Sequence, residues 1–244
     1  MGSTDKVKLI YQKGFAQGKK QLIDLRLKKI LNITQKQSSK PIDKLLDLGC
    51  GDGTFTLQLS KILKPRKVYG IDISQEAVHK LNSKKINGYC FDIDQSNLPF
   101  PSNYLDFIYC GNLVELVADA DHLLKEIHRT LKKSGTIIMT FPNIASWLSR
   151  IALVLGYLPY YSRVSTSFDL GKMFLKTKPG HSTGFIRLFT VSSFSELAKL
   201  YDLKVEKTYG IREETLPIPL QIVDNIISHF PSLAFKIICV LTKA

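Results

Sequence analysis

Cysteine is scarce in this sequence and never closely spaced. Cys50, Cys90, Cys110 and Cys239 make no CxxC pair, which argues against a structural zinc site and for reduced thiols in a cytoplasmic protein, with no metal expected. Long apolar runs are missing too. The longest central one, IALVLGYL, is under half of the ~20 residues that a membrane-spanning helix needs. Asp224, His229 and Lys236 interrupt the apolar C-terminal region. Residues 1–14 have neither an apolar core nor a small-residue cleavage site, so no signal peptide is expected. Gly2 superficially opens a myristoylation pattern, but Lys6 stands where Ser or Thr is usual. The pattern GxxxxGK followed by Ser or Thr is absent, which argues against NTP hydrolysis. No internal repeat or low-complexity tract is evident.

Acid is the other shortage. The chain has 21 Asp and Glu against 34 Lys and Arg, a formal net charge of +13. The excess is uneven: residues 1–44 hold eleven Lys/Arg and three Asp, so +8 of the +13 lies there. A basic segment of this kind suits nucleic acid, an anionic membrane surface or an acidic substrate. It equally suits the solvated face of a helix.

What is present is an alternation of helices and strands, in a length that allows one large α/β domain or one domain with an insertion. Leu22, Ile23, Leu25, Leu27, Ile30 and Leu31 give a helix from Phe15 to Ile33 a broad apolar face, and QKQSSKP reads as the loop after it. KLLDLGC, KVYGIDIS, NGYCFDI, LDFIYCGN and KKSGTIIMTFPN read as five strands. Helices over 54–63, 75–83 (with Ser74 as N-cap) and 119–132 fall between them. After Asn143 the rhythm breaks into an aromatic-rich stretch. It resumes with a helix capped near Ser192 or Ser193, then the strands KVEKTYGI and AFKIICVLTK, the last antiparallel. The pattern predicts an α/β fold, doubly wound and mostly parallel, with ligands at the carboxyl ends of the strands. It divides the chain into a basic N-terminal helical segment (1–44), a core (45–143), an insertion or lid forming the acceptor site (144–190) and a completion of the sheet (191–244).

The stretch LLDLGCGDGTF places Gly49, Gly51 and Gly53 in a GxGxG turn directly after a strand. Thr54 occupies the third glycine position of the dinucleotide fingerprint, so that fingerprint is not met. Asp47, inside the strand, would repel a pyrophosphate and suit a ligand with an ammonium group and no phosphate. LLDLGCGDG resembles the first motif of the class I S-adenosylmethionine-dependent methyltransferases, and the resemblance continues without a gap over residues 45–143. VYGIDIS resembles the second motif, its strand-end acid Asp72 lying nineteen residues beyond Gly53. YCFDID resembles the third. NIASWLSRIALVLGYLPYYSRVST, GFIRLFT and FSELAKLYDLKVEKTYG resemble the methionine-biosynthesis-W-type branch, within methyltransferase type 11.

The resemblance implies a seven-stranded Rossmann-like methyltransferase sheet with S-adenosyl-L-methionine as cofactor and S-adenosyl-L-homocysteine as product. The donor site it implies is Asp47, Gly49, Cys50, Gly51, Asp72, Ile73, Asp92, Ile93, Cys110 and Gly111. Asp72 takes the ribose hydroxyls, Asp92 the adenine amino group, Ile73 and Ile93 flank the ring, and the backbone at Cys110 and Gly111 holds the methionine part. Close approach of backbone N–H groups to the ligand is the expected reason for Gly49 and Gly51.

The acceptor half is less determined. Relatives carry a Glu–His pair after the fourth strand; here Glu115 is followed by Leu116. His181, in KPGHSTGFIRLFT, is the remaining base candidate, against the alternative of a loop histidine. His122 and His128 are expected on a solvated helix face. Arg150, Arg163 and Arg187 with Tyr160 and Tyr161 suit an acceptor pocket, or the tyrosines belong to a small core of the insertion. The expected activity is methyl transfer to an O or N of a small-molecule, glycan or lipid-linked acceptor. An RNA or other nucleic-acid methyltransferase using the basic helix is the alternative, although CGNL stands where base-amine methylases carry NPPY-type residues. A non-catalytic partner subunit is the third reading. LPIPLQIVDNIISHF and the basic arm together suit peripheral docking on anionic lipid, and a buried helix is the simpler account of that segment. The oligomeric state is left open.

Overall fold

The computed structural model describes residues 9, 11, 25–37, 41–165, 168–173, 178–179 and 185–244. In chain order its elements are α1 (Leu25–Gln37), β1 (Lys44–Leu48), α2 (Thr54–Leu63), β2 (Lys67–Asp72), α3 (Gln75–Ser83), β3 (Asn87–Cys90), β4 (Leu105–Gly111) and α4 (Ala120–Thr130). There follow β5 (Leu131–Pro142), α5 (Trp147–Val154), a small ribbon of β6 (Phe168–Asp169) and β7 (Lys178–Pro179), α6 (Val191–Leu200), β8 (Leu203–Ile211), α7 (Ile218–Ile227) and β9 (Lys236–Lys243).

Seven strands form one sheet in the order β3-β2-β1-β4-β5-β9-β8. The neighbours from β3 to β5 are parallel, and β9 runs antiparallel between β5 and β8. This is the doubly wound Rossmann-like sheet that the alternation predicts. Leu45, Leu46 and Leu48 of β1 are all fully buried, as a central strand covered on both faces must be. On one face α4 (Leu123, Leu124, Ile127) and α6 (Phe194, Ala198) pack on Leu46, Ile108 and Ile137. On the other, α1 (Leu27, Ile30, Leu31) and α2 (Phe55, Leu59, Leu63) pack on Leu45, Phe107 and Ile138.

The structure corrects several local expectations. α1 continues to Gln37 and takes in the first residues of the expected loop, while the expected start at Phe15 lies outside the described residues. α4 stops at Thr130, and His122 and His128 on it are half-buried rather than solvated, the ring of His122 meeting the Ser96 carbonyl oxygen at 3.2 Å. Ser74 does cap α3, accepting from Ala77 N at 3.3 Å. The cap of α6 is Thr190, not Ser192 or Ser193. Thr190 is extended, its hydroxyl accepts from Ser193 N, and the Ser193 hydroxyl accepts from Thr190 N, a reciprocal capping box. The largest departure is α7. The expected buried helix instead exposes its isoleucines and buries Asp224, which accepts from Trp147 Nε1 at 2.8 Å and from Glu213 N at 2.7 Å. Among the described residues, no helix is long and apolar enough to cross a membrane.

Candidate active site

The parallel register brings the carboxyl ends of β1, β2, β3 and β4 side by side, with Leu48 opposite both Ile71 and Cys110, and Asp72 opposite Cys90. The glycine turn closes over β1. Gly49, Gly51 and Gly53 have φ of 73°, 52° and 75°, the left-handed region that favours glycine. Their N–H groups have uses different from the expected one. Gly49 N and Cys50 N both donate to Ile71 O, at 2.8 and 3.0 Å, and Gly51 N donates to Asp72 Oδ2 at 2.8 Å. The turn is therefore lashed to β2 by its own amides, and the glycines are required by backbone conformation rather than by N–H groups directed at a ligand. What lies beyond each differs. A Cβ on Gly53 would stand 2.1 Å from Leu81 Cδ1, so that glycine serves packing. A Cβ on Gly51 would meet nothing within 4 Å. Open space thus begins above Gly51, beside the Asp72 carboxylate.

Asp72 is held at both oxygens, Oδ2 by Gly51 N and Oδ1 by Ser74 N at 2.9 Å. Each oxygen retains capacity for a second hydrogen bond, which fits a pair of neighbouring hydroxyls. Burial raises its pKa and the backbone N–H groups pull it back down. Asp47 sits deeper. Thr56 on α2 donates to its Oδ2 at 2.6 Å, and burial, opposed by that hydroxyl and aided by the Asp72 charge, pushes its carboxyl up to about 7. Two interacting carboxylates below an open space favour a cationic ligand and oppose a phosphate. Asp92 is half-buried and accepts from Asp94 N at 3.1 Å, and Phe91 N donates to Asp72 O at 2.9 Å, so β3 delivers Asp92 beside the end of β2. Ile73 is half-buried, whereas the Ile93 side chain is in the main core. The Cys50 and Cys110 side chains are buried.

Past β4, Glu115 is fully buried, and its carbonyl accepts from Ile186 N at 2.8 Å and Arg187 N at 3.2 Å. The Arg187 guanidinium donates to Ala118 O. Tyr11 comes to the same place: burial and the Glu115 charge push its hydroxyl up to about 12. No periodic signal marks Tyr11 in the basic segment. Thr56 was equally unmarked, although a hydroxyl nine residues after a buried acid, one turn into the next helix, is a signal that can be sought.

Other expected acceptor residues are more dispersed. Tyr160 and Tyr161 pack at 5.2 and 6.4 Å from the Phe235 ring in a small core with Leu148 and Leu216. Their hydroxyls bond to Thr215 (3.0 Å) and Glu213 (2.8 Å). Arg163 is half-buried near Tyr160, and burial lowers its pKa. Arg150 is exposed and donates to Ala145 O and Ser232 O. His181 lies outside the described residues.

Comparison with known proteins agrees with this geometry. Residues 46–139 match the family described as "Methyltransferase domain". The chain is 28% identical over 171 residues to a demethylmenaquinone methyltransferase of Bacillus cereus, covering 67% of this chain and 69% of that protein. It is 32% identical over 118 residues to a biotin biosynthesis bifunctional protein of Saccharophagus degradans, covering 46% of this chain. It spans only 20% of that relative's length. An S-adenosylmethionine-dependent methyltransferase structure from Thermotoga maritima superposes with a TM-score of 0.62 at 15% identity, covering 98% of this chain and 100% of that one. Residues 46–139 thus match a methyltransferase domain, and the strand order, the turn after β1 and the acid at the end of β2 support a fold of the class I S-adenosylmethionine-dependent methyltransferase type.

Proposed function

We propose that the protein moves a methyl group from S-adenosyl-L-methionine to an O or N of a small-molecule, glycan or lipid-linked acceptor. The observation that carries this reading is the Asp72 carboxylate, fixed by Gly51 N and Ser74 N beside the open space over Gly51. Bound there, the donor supplies a methyl group on a sulfonium, activated for in-line displacement. In this reading Asp72 accepts from the ribose hydroxyls and Asp92 from the adenine amino group. Ile73 and Ile93 flank the ring. Backbone at Gly49, Cys50, Cys110 and Gly111, with the Asp47 charge beneath, receives the methionine end. These residues mainly orient the donor and exclude water; orientation alone can remove ~7–11 kcal/mol of barrier.

The acceptor belongs, in the same proposal, to the segment 144–190 next to the donor core 45–143. Glu115 and His181 are the residues that would hold an acceptor proton, and Tyr160, Tyr161, Arg163 and Arg187 would shape the pocket. Titration calorimetry with S-adenosylhomocysteine tests the donor half. Binding at micromolar level is expected. Asp72→Ala should weaken it about 100-fold, the loss of two hydrogen bonds to a charged acceptor at ~1.5 kcal/mol each. No heat and no thermal shift with either nucleoside would overturn the proposal.

A further inference from the structure

Two helices turn their apolar residues away from the core. In α7, Ile218, Ile222 and Ile226 recur at every fourth position and are 75%, 64% and 64% exposed; Phe230 just beyond is 61% exposed. Asp224, on the opposite side, is buried and accepts from Trp147 Nε1 and Glu213 N. Rotating α7 to bury the isoleucines would strip both donors from that carboxylate, so the outward apolar face is fixed by a polar anchor. In α5 the last turn does the same, Val154 being 87% exposed between Leu153 and Leu155. The Trp147–Asp224 bond joins the two helices, and they share the small core around Phe235.

Acid is sparse around this surface. Residues 143–168 contain no Asp or Glu and two arginines, Arg150 and Arg163, and the sole acid of residues 215–230 is the buried Asp224. The position is also defined. Pro142, at the end of β5, pairs with Lys236, which pairs with Ile211 at the end of β8. Both helices are therefore rooted at the end of the sheet that carries Asp72 and Gly111.

We propose that the outer faces of α5 and α7 seat the protein on an anionic lipid bilayer, with the carboxyl-end site turned toward the membrane and its acceptor drawn from lipid. The seating stands on the surface alone; the choice of acceptor rests on the methyltransferase reading. An apolar helix face inserted at the headgroup boundary, with arginines nearby and its neighbouring exposed carboxylate, Glu214, held 3.9 Å from Arg212, is a combination that anionic interfaces bind.

The test is sedimentation of the full chain with vesicles of phosphatidylcholine, alone or mixed with an equal part of phosphatidylglycerol. Binding to the mixed vesicles should be about 10-fold tighter than to the neutral ones. The double variant Ile222→Glu, Ile226→Glu, and separately Val154→Glu, should lose about 10-fold or more. Exposed positions tolerate glutamate, and unchanged circular dichroism melts check that they do. Three results would overturn the proposal: no sedimentation with either vesicle, binding untouched by the face variants, or a dimer that the variants dissociate in a protein that ignores lipid. S-adenosylhomocysteine affinity, measured on the same samples, reads the donor site separately. Its absence in the wild type would remove the methyltransferase reading and leave the lipid result standing by itself.

Discussion

Gly51 and Gly53 differ by what a methyl group would meet, and so they separate ligand binding from folding. Both have positive φ, so alanine strains either turn by roughly 1 kcal/mol or more. At Gly53 the new carbon would also collide with Leu81. Gly53→Ala should therefore cost a further 1–3 kcal/mol of stability. At Gly51 it enters open space beside Asp72, and Gly51→Ala should cut S-adenosylhomocysteine affinity about 10-fold or more with a smaller change in melting temperature. Calorimetry and thermal melts on the two variants check the pair; equal losses of affinity and stability in both would refute the distinction. Asp47 adds a dependence on pH. Its carboxyl is pushed up to about 7 in the fold, above the ordinary aspartate value of 3.8 that stands for the unfolded chain. Between these values the folded state holds the extra proton, so stability falls as pH rises from about 4 to about 7. A cationic donor favours the ionised form, so its affinity should rise several-fold between about pH 6 and 8. Asp47→Asn should flatten both trends, as urea titrations and calorimetry across that range would show.

At the level of elements, α7 depends on one carboxylate. Asp224→Ala would leave Trp147 Nε1 and Glu213 N without their acceptor and should destabilise the protein by about 2–4 kcal/mol in urea, with Asp224→Asn losing less. Equal stability of the alanine variant would show that water replaces the carboxylate at no cost. The same helix marks the limit of what was legible in the sequence. β1, β2 and β4 could be read because each is a short, largely apolar run bounded by turn residues, and β1 is buried along its length, whereas β3 (Asn87–Cys90) is mostly exposed and is placed by the alternation around it. Asp72 and Asp92 could be placed at strand ends because strand and helix lengths fix where a chain emerges from a sheet. LPIPLQIVDNIISHF has the apolar content of a core helix, and nothing local says that its acid, rather than its isoleucines, is satisfied inside. The partners of Asp224 come from residues 147 and 213, and a contact across 77 residues leaves no periodic trace. Tyr11 beside Glu115 is missed for the same reason. The cap of α6 is a smaller case: three hydroxyl residues lie within four positions, Thr190, Ser192 and Ser193, and the choice among them depends on which is extended.

Across the whole molecule the question is what the basic N-terminal segment is for. Had it been a free cationic arm, its apolar residues would have no partner. Instead α1 buries Leu27, Ile30, Leu31 and Ile33 against the sheet and α2, and Lys29 Nζ donates to Gly210 O at 2.6 Å. Lys28 and Lys36 stay exposed. The segment is thus partly a wall of the core whose outer face is basic, and its two functions can be separated by substitution. Ile30→Ala removes a fully buried side chain and should cost about 2–5 kcal/mol. Lys28→Glu with Lys36→Glu should change stability by no more than about 0.5 kcal/mol per site. Urea denaturation measures both, and a silent Ile30→Ala would mean that α1 is a detachable arm after all. The lysine pair also addresses nucleic acid. Contacts with phosphates make affinity fall steeply with salt, by a slope of about 0.7 per contact for single strands. RNA titrations at several salt concentrations should therefore give weak binding whose slope the lysine variant leaves unchanged. A steep slope that the variant reduces by more than one contact would instead make the outer face of α1 a nucleic-acid surface, and would move the acceptor from lipid or small molecule to RNA.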